Sequence, residues 1–234
     1  MNIALIAPTP VESKELRREI KPMPHDGLKI ISGGELHGKS ITFTHCGVGK
    51  VNAAHSATLM LENYDIDVMI LFGIAGAYSA KGATQGDIVV AESENYGEEG
   101  VLTKEGWRSM DVIGALLKND KEYFNTFPLD LKLSKLAVKV AKDHGFNVTS
   151  GNFVTVSQVS GTRESGEILK NRFNGVCENM EGAAVAHICT LYGIPMVEIR
   201  GISNTVEDRD IKKWNIPLAA SHANKVVSEL VKRL

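Results

Sequence analysis

The chain has 234 residues, 43% hydrophobic and 23% charged, the balance of an ordinary soluble globular protein and enough for one domain with a large core. A formal net charge of −2 gives no electrostatic basis for binding nucleic acid or an anionic membrane, and no apolar run approaches the length of a membrane span. Met1–Ala7 is too short for a signal core and lacks a basic leader, and Cys46, Cys177 and Cys189 are odd in number without metal-ligand spacing, so a cytoplasmic protein with reduced packing thiols and no metal is expected.

Apolar runs alternate with amphipathic stretches from the start. Ile3–Ala7 reads as a strand and Val11–Ile20 as an amphipathic segment. Leu28–Leu36 and Lys39–Cys46 read as two strands joined at His37-Gly38, a hairpin signal. Gly47-Val48-Gly49 opens a long helix carrying Ala53, Ala54, Ala57, Leu59, Met60 and Leu61. Val68–Phe72 is a buried strand stopped by Gly73-Ile74-Ala75-Gly76, and Ile88–Ala91 is another. Glu92–Pro128, rich in Gly, charge and aromatics, shows little periodicity and reads as loops and short pieces. Helical spacing returns over Leu131–His144, with Gly145 as its stop. A strand over Phe153–Val159, a helix over Glu164–Phe173, a strand over Val176–Met180 and a helix over Gly182–Tyr192 follow. Met196–Ile202 is a buried strand and Pro217–Leu234 a closing helix. The alternation predicts a single α/β domain over residues 1–234, a three-layer α/β/α sandwich around a mixed, mainly parallel sheet.

Open α/β sheets build ligand sites at the carboxyl ends of their strands, and several polar groups fall there. Glu12 follows the first strand, where an acid also suits the dipole of a helix start. Gly47-Val48-Gly49-Lys50 lacks the third Gly of a dinucleotide fingerprint and the Ser/Thr of a P-loop, so a tight turn into a helix suffices for it. Gly73–Gly76 is equally a structural turn or a surface on which a planar ring can lie. Glu181 sits between an apolar strand and a Gly-Ala-Ala helix, where a charge needs a partner, and a cis-diol is a suitable one. Arg200 leaves a strand of Met, Val and Ile, and so demands an acid or a ligand. The run Glu207–Lys213 has the composition of a solvated loop.

Met180-Glu181 together with Arg200-Gly201-Ile202-Ser203-Asn204 resembles the nucleoside phosphorylase and nucleosidase superfamily, and the resemblance spans essentially the whole chain. It implies that Met180 packs on a ribose and Glu181 binds its hydroxyls. It implies that Glu12 takes a proton from water, that Arg200 holds Glu12 or the water, and that Ile74, Ala75, Gly76 and Ser203 line the site. Ile74 replaces the family's usual hydroxyl residue, so only a lining role carries over. Nucleosidases acting on adenine nucleosides have Asp where this chain has Asn204. An amide can donate to a 6-oxo group and accept from a protonated N7, which points to a 6-oxopurine. Arg209-Asp210 and Trp214-Asn215-Ile216, following Asn204, are similar to the futalosine hydrolase branch, which releases hypoxanthine from futalosine in menaquinone biosynthesis. The resemblance thus implies a nucleoside substrate, no cofactor, and a homo-oligomer. Trp107-Arg108 is the candidate for covering the carboxyphenyl arm, although a surface anchor explains that pair as well. An adenine-nucleoside nucleosidase, a phosphorylase and a silent nucleoside-binding protein are the alternatives. Asn204 argues against the first, and Glu12, which would repel phosphate, against the second. The presence of Glu12 beside Met180 and Glu181 argues against the third.

Overall fold

The N-terminal apolar run forms β1 (Asn2–Ala7), and its side chains alternate between two hydrophobic clusters: Ala4 and Ile6 in one, Ile3, Leu5 and Ala7 in the other. A strand buried on both faces needs helices on either side. The computed structural model describes residues 1–24, 27–28, 30–78, 82–118 and 121–234. After β1, Pro8–Glu15 form turns and only Leu16–Glu19 is helical, so the amphipathic stretch condenses to a single turn. β2 (Ile31–Leu36) and β3 (Lys39–His45) pair antiparallel through His37 and Gly38, whose φ values of 52° and 78° give the two left-handed residues a tight hairpin demands. The expected start of β2 at Leu28 takes in Lys29, which lies outside the described residues.

The chain continues through α1 (Lys50–Asn63), β4 (Val68–Tyr78), β5 (Ile88–Tyr96), β6 (Thr126–Pro128), α2 (Leu131–Asp143) and β7 (Val148–Thr155). Then come α3 (Arg163–Phe173), β8 (Gly175–Asn179), α4 (Gly182–Tyr192), β9 (Met196–Val206) and α5 (Ile216–Arg233). Helices α1 and α4 pack together over one core cluster, and α2 and α5 over the other. The sheet is mixed, and its longer ladders are parallel. Among the described residues β1–β3, β1–β4, β5–β7, β7–β8 and β4–β9 run parallel, while β5–β6, β4–β8, β5–β9, β2–β3 and the pairing of Lys21–Pro22 with β2 run antiparallel. Because β9 pairs with both β4 and β5, the strands β5, β7, β8, β4 and β9 close into a ring.

Several strands exceed their sequence expectation, among them β5, which runs five residues past Ala91 to Tyr96. β4 runs straight through Gly73-Ile74-Ala75-Gly76, because β9 pairs along this whole stretch and supplies the ladder bonds that the glycines alone would not promise. β9 likewise runs on through Asn204, with a bulge between Ile202 and Asn204. β7 begins five residues earlier than expected, at Val148, paired to β5, and ends at Thr155. Of the segment Glu92–Pro128, read as loops and short pieces, Glu92–Tyr96 instead continues β5, while the rest holds the small hairpin Val101–Thr103/Gly106–Arg108 and other short pieces.

Candidate active site

The end of β1, the second half of β4, and the carboxyl ends of β8 and β9 converge on a cavity of about 430 Å³. Glu12, Ile74, Ala75, Gly76, Met180, Glu181, Ser203 and Asn204 all line it. Arg200 lies beneath its floor, fully buried.

Glu12 sits in the turn after β1, only 5% exposed. Its Oε2 accepts from the Thr9 hydroxyl at 2.7 Å and its Oε1 from the Ile74 N–H at 3.1 Å. Burial raises its proton affinity above the ordinary carboxylate value, against the opposing pull of Arg200 and these two donors. Position 74, where the side chain carries no hydroxyl, works through its peptide instead: the N–H holds Glu12, and the carbonyl accepts from Arg200 Nη1 at 3.2 Å. Gly73 makes this crowding possible, since a Cβ there would lie 2.6 Å from Glu12 Oε1 and 3.0 Å from Arg200 Nη1.

Glu181 caps the junction of β8 and α4, 3% exposed. Its Oε1 accepts from the Gly49 N–H at 3.1 Å and its Oε2 from Arg200 Nη2 at 3.3 Å. The Gly47–Lys50 turn therefore serves the site by aiming one backbone donor at a carboxylate. Among the described residues Arg200 pairs with Glu181 and, at 2.8 Å, with Glu198, and acts on Glu12 through its charge rather than a hydrogen bond. The alternation of a strand explains the pairing with Glu198, because Glu198 and Arg200 are two residues apart and share a face of β9. Burial disfavours the guanidinium charge, yet Glu198, Glu181 and Glu12 together raise Arg200 above its ordinary value.

Behind Arg200 lies a second carboxyl pair. Glu94 and Glu198 approach each other beside Gly182, where any Cβ would overlap a carboxyl oxygen of each. Glu94 accepts from Asn179 Nδ2 at 2.6 Å and from the Thr155 hydroxyl at 2.7 Å. Burial and the adjacent Glu198 raise Glu94 well above the usual carboxylate range, whereas Glu198, although also raised by burial, faces the Arg200 cation. Burial thus favours the protonated form at Glu94, while the Arg200 cation supports the charge on Glu198.

Asn204 is half-buried on the bulge of β9, which turns both Ser203 and Asn204 toward the cavity. Its Oδ1 accepts from the Ser203 hydroxyl at 2.8 Å, and its Nδ2 donates to the Thr205 carbonyl at 3.2 Å. Gly76 leaves room for it: a Cβ there would meet Asn204 Nδ2 at 3.3 Å. Arg209, in the run expected to be a solvated loop, and Trp214, just after it, also line the cavity, with the guanidinium carbon 5.0 Å from the Trp214 ring centroid. Thr9, Glu178, Glu198 and Asn179 escaped the sequence reading. Glu198 had a visible signal, a charge inside an otherwise apolar strand. Trp107 does not reach the cavity of its own chain. It packs against Phe173, with Arg172 at 4.0 Å over its ring and its Nε1 donating to the Glu98 carbonyl at 3.3 Å. This is the surface-anchor role that was the alternative for it.

The arrangement places two buried carboxylates, one with raised proton affinity, opposite an amide, with a guanidinium under the floor. It can bind a polyol through Glu181, accept a proton at Glu12, and hydrogen-bond a heterocycle at Asn204. No cluster of metal-ligating side chains occurs among the described residues. A family model for the Phosphorylase superfamily matches residues 2–232. A futalosine hydrolase of Thermus thermophilus is 32% identical over 227 residues, covering 97% of this chain and 94% of the relative. A 5′-methylthioadenosine/S-adenosylhomocysteine nucleosidase of Actinobacillus succinogenes is 30% identical over 211 residues, covering 89% and 87%. A solved 5′-methylthioadenosine/S-adenosylhomocysteine nucleosidase of Neisseria meningitidis, in complex with methylthio-immucillin-A, superposes with a TM-score of 0.86 at 25% identity, covering 100% of this chain and 99% of that one.

Proposed function

This chain belongs to the phosphorylase superfamily, and from that premise we propose that it hydrolyses the N-ribosidic bond of futalosine, releasing hypoxanthine. The observation that carries the base assignment is Asn204, an amide held by Ser203 at the end of β9. Its Nδ2 donates to the 6-oxo group while its Oδ1 accepts from N7 once that nitrogen is protonated, which stabilises the departing base. Glu181, oriented by the Gly49 N–H and by Arg200, accepts from the ribose hydroxyls, and these contacts strengthen as the sugar becomes cationic. Met180 packs on the sugar. Glu12 takes the proton of the attacking water, and its raised proton affinity brings it nearer the pH at which a general base is most effective. Two carboxylates at the nucleophile's side of the cavity disfavour phosphate, so water is the acceptor and no cofactor is needed.

The same reading, as the family resemblance implies, sets the reaction in menaquinone biosynthesis and in the cytoplasm, with a homo-oligomer as the working enzyme. The sheet with its two helix pairs is the family's α/β/α sandwich, with the five-strand ring as its distorted half. A methylthioadenosine-type nucleosidase is the second reading, favoured by the Actinobacillus relative and opposed by Asn204. Both are tested by comparing kcat/KM for futalosine and its 6-amino analogue in wild type and in Asn204→Asp. Wild type should prefer the 6-oxo substrate by roughly ten- to a hundredfold, the value of one mismatched buried donor. The variant should shrink or invert that preference. Equal use of the two substrates by wild type would restore the adenine-nucleoside reading.

A further inference from the structure

A second polar side chain shares the base end of the cavity with Asn204 and has no part in bond cleavage. Glu178 in β8 and Asn204 in β9 both pair with Gly76 of β4, so the three residues form one row across adjacent strands. The two outer positions are two strand spacings apart, roughly 10 Å between Cα atoms. Gly76 between them presents no side chain, which leaves a flat floor with a polar group at either side. Both Glu178 and Asn204 line the cavity, and Glu178 is only 6% exposed.

Ser160 fixes the Glu178 carboxylate. Its backbone N–H donates to Oε1 at 2.8 Å and its hydroxyl to Oε2 at 2.7 Å. The buried Tyr78 hydroxyl also lies beside this carboxylate. No cation pairs with Glu178 among the described residues, and a carboxylate has about four acceptor positions, so it can take one further donor from the cavity that it lines. A 6-oxopurine supplies one. Its six-membered edge presents the O6 acceptor beside the N1–H donor, whereas a 6-aminopurine reverses both positions.

We propose that Glu178 is a specificity-determining residue that accepts the N1–H of a 6-oxopurine, so that Glu178 and Asn204 read the base from opposite sides of Gly76. This rests on the 6-oxopurine nucleosidase reading of the same site and adds a second, independent discriminator to it. Against adenine, Asn204 meets a donor with a donor and Glu178 meets the N1 lone pair with a carboxylate.

The test is the substitution Glu178→Gln. The amide oxygen keeps the Ser160 N–H, while its NH2 turns to the Ser160 hydroxyl and to N1 of a 6-aminopurine. The ratio of kcat/KM for futalosine to that for its 6-amino analogue should fall about ten- to a hundredfold relative to wild type. Calorimetric affinities for free hypoxanthine and adenine should shift in the same sense. A crystal structure of wild type with hypoxanthine, which needs no variant to fold, should place a Glu178 oxygen within about 3.2 Å of N1. If wild type prefers the 6-oxo substrate and Glu178→Gln keeps that ratio, or if N1 lies beyond hydrogen-bond reach of Glu178, this assignment is overturned while the proposed reaction stands. If wild type cleaves no 6-oxopurine nucleoside, the proposed reaction falls. Glu178 is then judged on the free bases alone, and adenine binding as tightly as hypoxanthine would overturn it too.

Discussion

Replacing Arg200 by Met removes a buried cation that acts on three acids of the site, Glu198, Glu181 and Glu12. Its Nε lies 2.8 Å from Glu198 and its Nη2 3.3 Å from Glu181, with no part of the residue exposed. Breaking a buried pair by deleting one partner costs about 3–5 kcal/mol, because the other charge stays behind unpaired. Each kcal/mol is worth roughly 2–4 °C of melting temperature in a chain of this size. Scanning calorimetry should therefore show a drop of roughly 6–20 °C. Substituting Glu198 as well, Glu198→Met with Arg200→Met, should recover the part of that stability lost at Glu198, since a buried pair exchanged for apolar side chains of similar volume is often neutral, while Glu181 stays without its cation. Activity should not return with it. Glu181 would still lack the guanidinium that aims its Oε2, so KM for futalosine should stay raised. A single variant that melts within about 2 °C of wild type, or a double variant with full activity, would refute the reasoning.

Other consequences are direct. Glu12→Gln should lower kcat by about 100- to 10,000-fold while leaving hypoxanthine binding intact. Because Glu12 acts in its ionised form and burial raises its proton affinity, the wild-type log kcat/KM should fall as pH drops through a value above the ordinary 4.5, and steady-state pH profiles check this limb. Gly76→Ala puts a methyl 3.1 Å from Val206 Cγ2 and 3.3 Å from Asn204 Nδ2, so hypoxanthine affinity by calorimetry should drop more than the melting temperature does. Burial and the adjacent Glu198 raise the proton affinity of native Glu94, so its contribution to stability falls as pH rises from the ordinary Glu value, 4.5, toward its higher native one. Glu94→Gln should flatten the slope of unfolding free energy against pH in denaturant titrations above that value.

Where one residue pattern dictates one structure, the sequence was sufficient. Gly182–Tyr192 is helical over the same residues as expected, and His37-Gly38 makes the expected hairpin turn. The polar ends of four strands do meet in one cavity, because alternating strands and helices leave few other places for Glu12, Glu181 and Asn204. What stayed hidden depends on partners distant in sequence. Gly73–Gly76 looks like a stop until β9 pairs along it. The approach of Glu94 to Glu198 depends on β5 and β9 lying side by side, and the Glu178–Gly76–Asn204 row requires the register of three strands. Trp107 carried no periodic signal for its place, which Phe173 and Arg172 of α3 decide.

The most direct measurement is incubation of the purified protein with futalosine in phosphate-free buffer made with ¹⁸O-water, with free base and sugar product followed by mass spectrometry. The expected result is hypoxanthine released in step with a ribosyl product carrying one ¹⁸O at the anomeric carbon, at a rate unaffected by added phosphate. No release of base, or release that needs phosphate and yields a sugar phosphate, would contradict it.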